Sequence, residues 1–169
     1  NNWKQVIYDE VNKKTQINDY KIDVNLIHVV DEIPINWSMG MTTFEQNLYV
    51  ADTDNHRISV YDLDTLKKKF EFTSPLSNYC ESTHTWSASN PDCTSKMRNL
   101  PTSISIFNEK IFVAYGFQDE IQVFDLNGNF LSKFGSSGNQ KGEFSRPMQI
   151  SASNDLLYIA DSGNKRIQV

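Results

Sequence analysis

One pattern occurs three times in this chain of 169 residues, and it constrains the fold more than any other feature. The copies begin at Ser38, Pro101 and Pro147 and read "SMGMTTFEQNLYVADTDNHRISVYD", "PTSISIFNEKIFVAYGFQDEIQVFD" and "PMQISASNDLLYIADSGNKRIQV". They align without a gap, and an alanine lies 13 residues after the first position of each copy, at Ala51, Ala114 and Ala160. Such fixed spacing predicts that each copy is one supersecondary unit that packs against its neighbours.

The second copy shows most clearly what each unit contains. "TSISIF" alternates apolar and polar residues, "IFVAY" is a nearly continuous apolar run, and "IQVFD" alternates again. An Asn-Gly turn then leads into a fourth segment, "FLSKF". These signals are typical of four antiparallel strands, and the 46-residue interval from Pro101 to Pro147 is typical of a propeller blade. The sequence therefore predicts an all-β fold built from β-propeller blades of four antiparallel strands.

The repeats divide the chain into segments. We expect blades at residues 38–72 and 100–143, a truncated blade at 144–169, and an inter-blade insertion at 73–99. Residues 1–37 are a partial preceding blade or an N-terminal extension.

Two stretches near the start, Trp3–Asp9 and Ile22–Val30, have strand character and could be the third and fourth strands of a preceding blade. Three blades do not close a propeller, so we expect the chain to be part of something larger. The uncovered blade face would then meet remaining blades of the same polypeptide, a second copy, or a neighbour in an assembly.

The repeated turn also resembles a known family. "YVADTDNHRISVYD" and "YIADSGNKRIQV", the latter preceded by "FGSSGNQKGEFSRP", are similar to NHL repeats, which form β-propellers that commonly have six blades. The similarity covers residues 38–169 and is weaker in the second copy. It implies a partial propeller that is part of a six-bladed ring.

Six residues of this turn are predicted to have structural roles: Asp52, Asn55, Arg57, Asp161, Asn164 and Arg166. We expect each aspartate to accept hydrogen bonds from the backbone of the turn that follows. Each asparagine is expected to take the left-handed conformation, with help from Gly163 in the third copy. The arginines are expected to pair with the carboxylates across or between blades.

In the second copy the same positions hold Tyr115, Gln118 and Glu120, so that turn must be held in a different way. Loss of a repeated catalytic site in one copy of three would be unexpected, whereas variation of turn chemistry is tolerated. The motif therefore indicates a fold and not an active site.

The two cysteines, Cys80 and Cys93, enclose a polar loop within the 73–99 insertion. A disulfide between them would stabilise the fold by about 3 kcal/mol on the chain-entropy estimate. Two free thiols or two isolated metal ligands remain as alternatives, although a zinc site would need further ligands. A disulfide would place the protein in an oxidising compartment, which predicts an extracellular, cell-surface or secretory-pathway location. Asn36 begins the sequence "NWS", a possible glycosylation site.

Catalytic patterns are weak. The three histidines, His28, His56 and His84, stand in no recognisable nucleophile context, and the predicted channel-lining strands carry serine, threonine and glutamine without a carboxylate. We therefore expect no enzyme activity, no catalytic residues, no metal site and no cofactor. A propeller hydrolase or lyase with a metal site completed by unseen blades is kept as an alternative.

The preferred interpretation is a scaffold that binds a protein or another ligand. A candidate binding rim is the insertion around the two cysteines, with Tyr79, His84 and Trp86. The alternative is that this loop folds back to cover the neighbouring blade. An RNA-binding NHL domain is a further alternative. The net charge of −5 and the acidic residues among the rim cations argue against it. We therefore expect protein partners or remaining blades, no nucleic acid and no membrane insertion.

Overall fold

The structure is a computed structural model that describes the backbone of residues 3–9 and 14–20 and the complete residues 34–75 and 99–169. The chain divides into two compact units, Asn1–Ile33 and Pro34–Val169. Within the described ranges there is no helix with the length and apolar character that a membrane span requires.

The first unit contains an antiparallel pair of strands, β1 (Trp3–Asp9) and β2 (Lys14–Tyr20). The strand predicted at Trp3–Asp9 is confirmed. Its partner is a segment in which polar residues outnumber apolar ones, and apolar periodicity did not identify it. The second predicted segment, Ile22–Val30, lies outside the described residues.

The second unit contains two four-stranded antiparallel sheets and one three-stranded sheet, each with its strands in chain order. The first blade consists of β3 (Gly40–Phe44), β4 (Asn47–Asp52), β5 (Arg57–Asp62) and β6 (Lys68–Phe72). The second blade consists of β7 (Ser103–Phe107), β8 (Lys110–Tyr115), β9 (Glu120–Asp125) and β10 (Phe130–Phe134). The third blade consists of β11 (Pro147–Ser153), β12 (Leu156–Asp161) and β13 (Arg166–Gln168). The predicted all-β class with four-stranded antiparallel blades is confirmed.

The repeated alanines occupy equivalent positions in the three sheets. Each lies near the end of the second strand and is paired with an isoleucine of the third strand: Ala51 with Ile58, Ala114 with Ile121, and Ala160 with Ile167. Because side chains alternate across a strand, the same register places the same columns on the same face of every blade. The sequence repeat is therefore a structural repeat.

Two apolar layers hold the blades together. In the first layer, residues of the first blade such as Tyr49 and Ile58 pack with Ile104, Val113 and Phe124 of the second blade. In the second layer, Ala114 and Ile121 of the second blade pack with Ile150 and Ile159 of the third. Phe144, from the connection between these two blades, joins the second layer and is almost fully buried.

The inner strands of neighbouring blades lie close together. The backbone N–H of Ile150 donates to Ser103 Oγ at 3.2 Å, and that of Ala152 donates to Ser105 Oγ at 3.1 Å. Between the first and second blades the inner strands also approach closely, because a Cβ atom at Gly40 would lie 3.0 Å from Ser103 Cα. Serine hydroxyls and a glycine thus set the distance between the inner strands.

This close approach gives a first prediction. Gly40→Val should lower the free energy of unfolding by about 1–3 kcal/mol, because the added atoms meet the backbone of Ser103 and the inner strands must separate. Urea denaturation followed by tryptophan fluorescence measures the change. The matched control is Met41→Val in the same strand, where the side chain is 62% exposed and the change should stay within about 0.5 kcal/mol. Equal effects of the two substitutions would contradict the close packing.

Candidate functional site

The first motif cluster is centred on Asp52, the last residue of β4, whose side chain is fully buried. Its carboxylate accepts hydrogen bonds from Asn36 N–H at 2.7 Å, Asn55 Nδ2 at 2.9 Å and Arg57 Nε at 2.8 Å. The Ser59 hydroxyl donates to the same carboxylate at 3.4 Å. A buried charge is stable only when it is paired and hydrogen-bonded, and this one has both a cation and several neutral donors.

The third blade repeats the cluster around Asp161, which is also fully buried. The donors are Ser145 N–H at 2.7 Å, Asn164 Nδ2 at 2.9 Å, Arg166 Nε at 2.8 Å and Gln168 Nε2 at 3.1 Å. Burial acts to raise the pKa of Asp161, but these donors outweigh it and hold the pKa below its usual value. The carboxylate is therefore ionised at neutral pH.

Two details of the predicted turn are wrong. The left-handed residues are His56 (φ 59°) and Lys165 (φ 55°), one position after Asn55 and Asn164. The asparagine side chains instead donate to the buried aspartates. Gly163 has no positive φ; a Cβ there would clash with Ser145 Oγ, so its small size permits a close approach.

The source of the backbone donor also differs from the expectation. Asn36 and Ser145, which supply the N–H groups, precede the aspartates by 16 residues and belong to the connection that enters the same blade. They are not part of the turn that follows. Sequence spacing alone does not show this contact, because it depends on the path of the connection across the rim.

The arginines extend the cluster to the same connections. Arg57 pairs with Asp52 on the neighbouring strand of its own blade and also donates to the carbonyl oxygen of Pro34 at 3.1 Å. Arg166 likewise donates to the carbonyl oxygen of Glu143 at 2.9 Å. Each arginine therefore fastens the entering connection to the rim of its blade, and neither pair bridges two blades.

In the second blade, Tyr115 and Glu120 replace the aspartate and the arginine. Tyr115 is almost fully buried, and burial together with the nearby charge of Glu120 raises the pKa of its phenol. Gln118 Nε2 donates to Asn99 Oδ1 at 3.3 Å. A neutral side chain thus occupies the position of the buried aspartate, so a buried carboxylate at this position is not required for a blade to form.

The ion pair between the third and fourth strands is reversed in the second blade. In the first blade Arg57 Nη1 lies 2.8 Å from Glu71 Oε2, whereas in the second blade Lys133 Nζ lies 2.7 Å from Glu120 Oε2. The cation is therefore on the third strand in the first blade and on the fourth strand in the second blade, and the carboxylate is on the other strand of each pair. Opposite charges are thus kept on these neighbouring strands even where the motif is lost.

The remaining predicted residues lie largely outside the described part of the chain. This applies to Cys80 and Cys93, to the predicted rim residues Tyr79, His84 and Trp86, and to His28. Asn36 is exposed, and its backbone is held by the Asp52 cluster. Among the described residues, no three His, Cys, Asp or Glu side chains are grouped closely enough to hold a metal ion.

Two apolar residues on the rim of the first blade are functional candidates that the sequence patterns did not predict. Ile35 and Trp37 are 38% and 54% exposed. They flank Asn36, whose N–H donates to Asp52 and whose carbonyl oxygen accepts from Asp54 N–H at 3.1 Å. The Asp52 cluster therefore holds a short apolar segment at the surface. The sequence signal was "INWS", which drew attention only as a possible glycosylation site.

Comparison with known proteins supports the propeller. Residues 94–168 match a family model described as a 6-bladed beta-propeller. A structure of catalytically inactive virginiamycin B lyase from Staphylococcus aureus with quinupristin is 15% identical with a TM-score of 0.54, covering 92% of this chain and 42% of that chain.

A selenomethionine-substituted structure of the same lyase is 14% identical with a TM-score of 0.53, covering 98% of this chain and 47% of that chain. The chain thus spans less than half the length of these structures. A search of curated proteins found no significant match. At these identities the likeness concerns the fold, and the described sheets of the second unit are β-propeller blades.

The buried aspartate of the third blade gives a second prediction. Asp161→Asn should lower the free energy of unfolding at pH 7 by about 2–4 kcal/mol, because it removes the charge that its donors require. The folded-state pKa is below the unfolded value of about 3.9, so this contribution is present above about pH 4 and is lost on acidification. The free energy of unfolding, measured by urea denaturation between pH 3 and pH 7, should therefore depend less on pH in Asp161→Asn than in the wild type.

Asp155→Asn, on an exposed turn of the same blade, is the control, with an expected change within about 0.5 kcal/mol. If both variants had the same pH profile as the wild type, Asp161 would not have the role assigned to it.

Proposed function

We propose that the chain is part of an NHL-type β-propeller that acts as a non-catalytic scaffold outside the cytosol and binds a protein partner at its rim. The observation that carries this proposal is the use of the polar motif residues. Asp52, Asn55 and Arg57 hydrogen-bond one another and the entering connection, as do Asp161, Asn164 and Arg166. Because these side chains are hydrogen-bonded within the protein, they fix the conformation of the rim and are not available to bind a substrate.

A rigid rim with exposed apolar side chains suits protein recognition. Aromatic residues dominate binding energy at interfaces, and Trp37 with Ile35 offers such an anchor on a segment that the Asp52 cluster holds in place. The net charge of −5 favours a protein partner over nucleic acid. The predicted rim residues Tyr79, His84 and Trp86 would extend the same surface.

Site-specific photo-crosslinking in the source cells tests this function. With p-benzoylphenylalanine at position 37, we expect one dominant protein adduct. With the same group at position 131, where Leu131 is 49% exposed on an outer strand, we expect none. Trp37→Ala should weaken binding of the crosslinked protein about 10- to 100-fold, and Leu131→Ala should leave it unchanged.

Crosslinked adducts of equal yield at positions 37 and 131 would contradict a specific binding site on the rim. A nuclease-sensitive adduct would favour RNA binding instead. Turnover of a small molecule by the chain with its partner would favour the enzyme alternative.

The oxidising location is proposed from the two cysteines and has a separate test. Intact-mass analysis of protein alkylated without reductant should show no added label on Cys80 or Cys93, and two labels after reduction. Reduction should also lower the free energy of unfolding by about 3 kcal/mol. Two labels without reductant would contradict both the disulfide and the location inferred from it.

A further inference from the structure

The turn between β9 and β10 contains the Asn-Gly pair of the second blade, Asn127 and Gly128. Asn127 is exposed, and within residues 34–75 and 99–169 its side-chain carboxamide has no hydrogen-bond partner. The carboxamides of Asn55, Asn129 and Asn164, in contrast, each donate to an aspartate. The carboxamide of Asn127 is therefore available for a reaction with its own backbone.

The chemistry open to this pair is intramolecular. The backbone amide nitrogen of Gly128 can attack Cγ of Asn127, because glycine has no Cβ that would hinder the approach. A C–N bond forms, and Nδ2 of Asn127 leaves as ammonia with the proton that the Gly128 amide gives up. Water then opens the resulting five-membered succinimide at either of its two carbonyl groups, which yields aspartate or isoaspartate. The reaction consumes one water molecule, releases one ammonia molecule and needs no enzyme or oxidant.

The Asp125 side chain holds this turn closed. Its Oδ1 accepts hydrogen bonds from the backbone N–H of Asn127 at 2.9 Å and of Asn129 at 2.8 Å, and its Oδ2 accepts one from Asn129 Nδ2 at 2.8 Å. The N–H of Gly128 donates to the backbone carbonyl oxygen of Asp125 at 3.0 Å. The nitrogen that must attack is thus engaged in a hydrogen bond, and it becomes available only when the turn opens locally.

We propose that Asn127 is a site of spontaneous deamidation and that the hydrogen bonds to the Asp125 carboxylate limit its rate. The exposed, unbonded carboxamide supplies the reacting carbon atom, and the glycine supplies an unhindered nitrogen. Asp125 acts as a positioning residue, because it takes no part in the reaction and controls how often the turn opens. This inference does not depend on what the rim binds.

The product would change the contact between two blades. A Cβ atom at Gly128 would clash with the ring of Phe72 in β6, so this turn of the second blade lies directly against the first blade. Isoaspartate at position 127 adds a methylene group to the main chain and a negative charge beside Asp125. The longer main chain displaces Gly128 from the Phe72 ring, so deamidation would loosen the contact between the first two blades.

Incubation of the folded protein at mildly alkaline pH, followed by proteolysis and mass spectrometry, tests the proposal. We expect aspartate and isoaspartate to form at position 127, with the isoaspartate identified by enzymatic methylation of its carboxylate. Asn154 is the control within the same molecule, because it is also exposed in a turn between two strands but is followed by Asp155. Since the Asp155 side chain hinders the attack, Asn154 should convert at least about 10-fold more slowly.

Two substitutions separate the hydrogen bonds of Asp125 from its charge. Asp125→Ala removes both acceptor oxygens and should raise the rate at Asn127 about 10-fold, because the turn opens more often. Asp125→Asn removes the charge but keeps one acceptor oxygen, and it should raise the rate less than about 3-fold. Asp62→Ala is the matched control in the corresponding turn of the first blade, where Asp62 Oδ1 accepts from Thr65 N–H at 2.9 Å, and it should leave the rate at Asn127 unchanged.

Equal rates at Asn127 and Asn154, or equal rates at Asn127 in the wild type and Asp125→Ala, would overturn the proposal. Equal acceleration by Asp125→Ala and Asp125→Asn would overturn the role given to the hydrogen bonds, since charge alone would then explain the effect. The isoaspartate form, separated by ion exchange, should have a folding equilibrium constant about 5- to 30-fold lower than the unmodified protein. An unchanged constant would overturn the effect assigned to the contact with Phe72.

Discussion

Face-to-face packing of the sheets is the interaction on which the rest of the structure depends. A four-stranded sheet with two apolar faces is stable only when both faces are covered, because apolar surface left in water contributes nothing to folding. The second blade meets this condition with the first blade on one side and the third on the other. This packing explains why an aromatic residue, alanine, isoleucine and valine recur at the same positions of each repeat. The small alanine lets the neighbouring sheet approach.

The buried aspartates add a second level of organisation that couples the rim to the sheets. Asp52 and Asp161 lie at the ends of their strands, and each receives donors both from its own blade and from the connection that enters it. A buried charge with so many donors has few alternative arrangements, so the path of the connection becomes specific. In the second blade the neutral Tyr115 is buried at the position of the aspartate and Gln118 donates to Asn99, so packing defines the blade and the carboxylate refines the rim of the other two blades.

This separation between the packing that defines a blade and the buried polar residues that shape its rim has a consequence for function. The most distinctive motif residues are used inside the fold, while the exposed apolar residues Ile35 and Trp37 belong to no repeat motif. Binding surfaces on repeat folds commonly vary between repeats, because the sheets do not depend on them. The rim of the first blade, with its short apolar segment beside a turn, is therefore an informative surface.

The sequence by itself determined the repeat, the strands within it and their alignment from one copy to the next. Alternation of apolar residues specifies which side chains share a face, and the fixed position of the alanine specifies how the copies superimpose. Tertiary structure decided what lies far apart in the chain or depends on backbone path. Examples are the N–H groups of Asn36 and Ser145 at the buried carboxylates, the left-handed conformation at His56 and Lys165, and the pairing of β1 with β2. It also decided burial, since Tyr49 and Ile58 are buried by the second blade that packs over them and not by their own sequence.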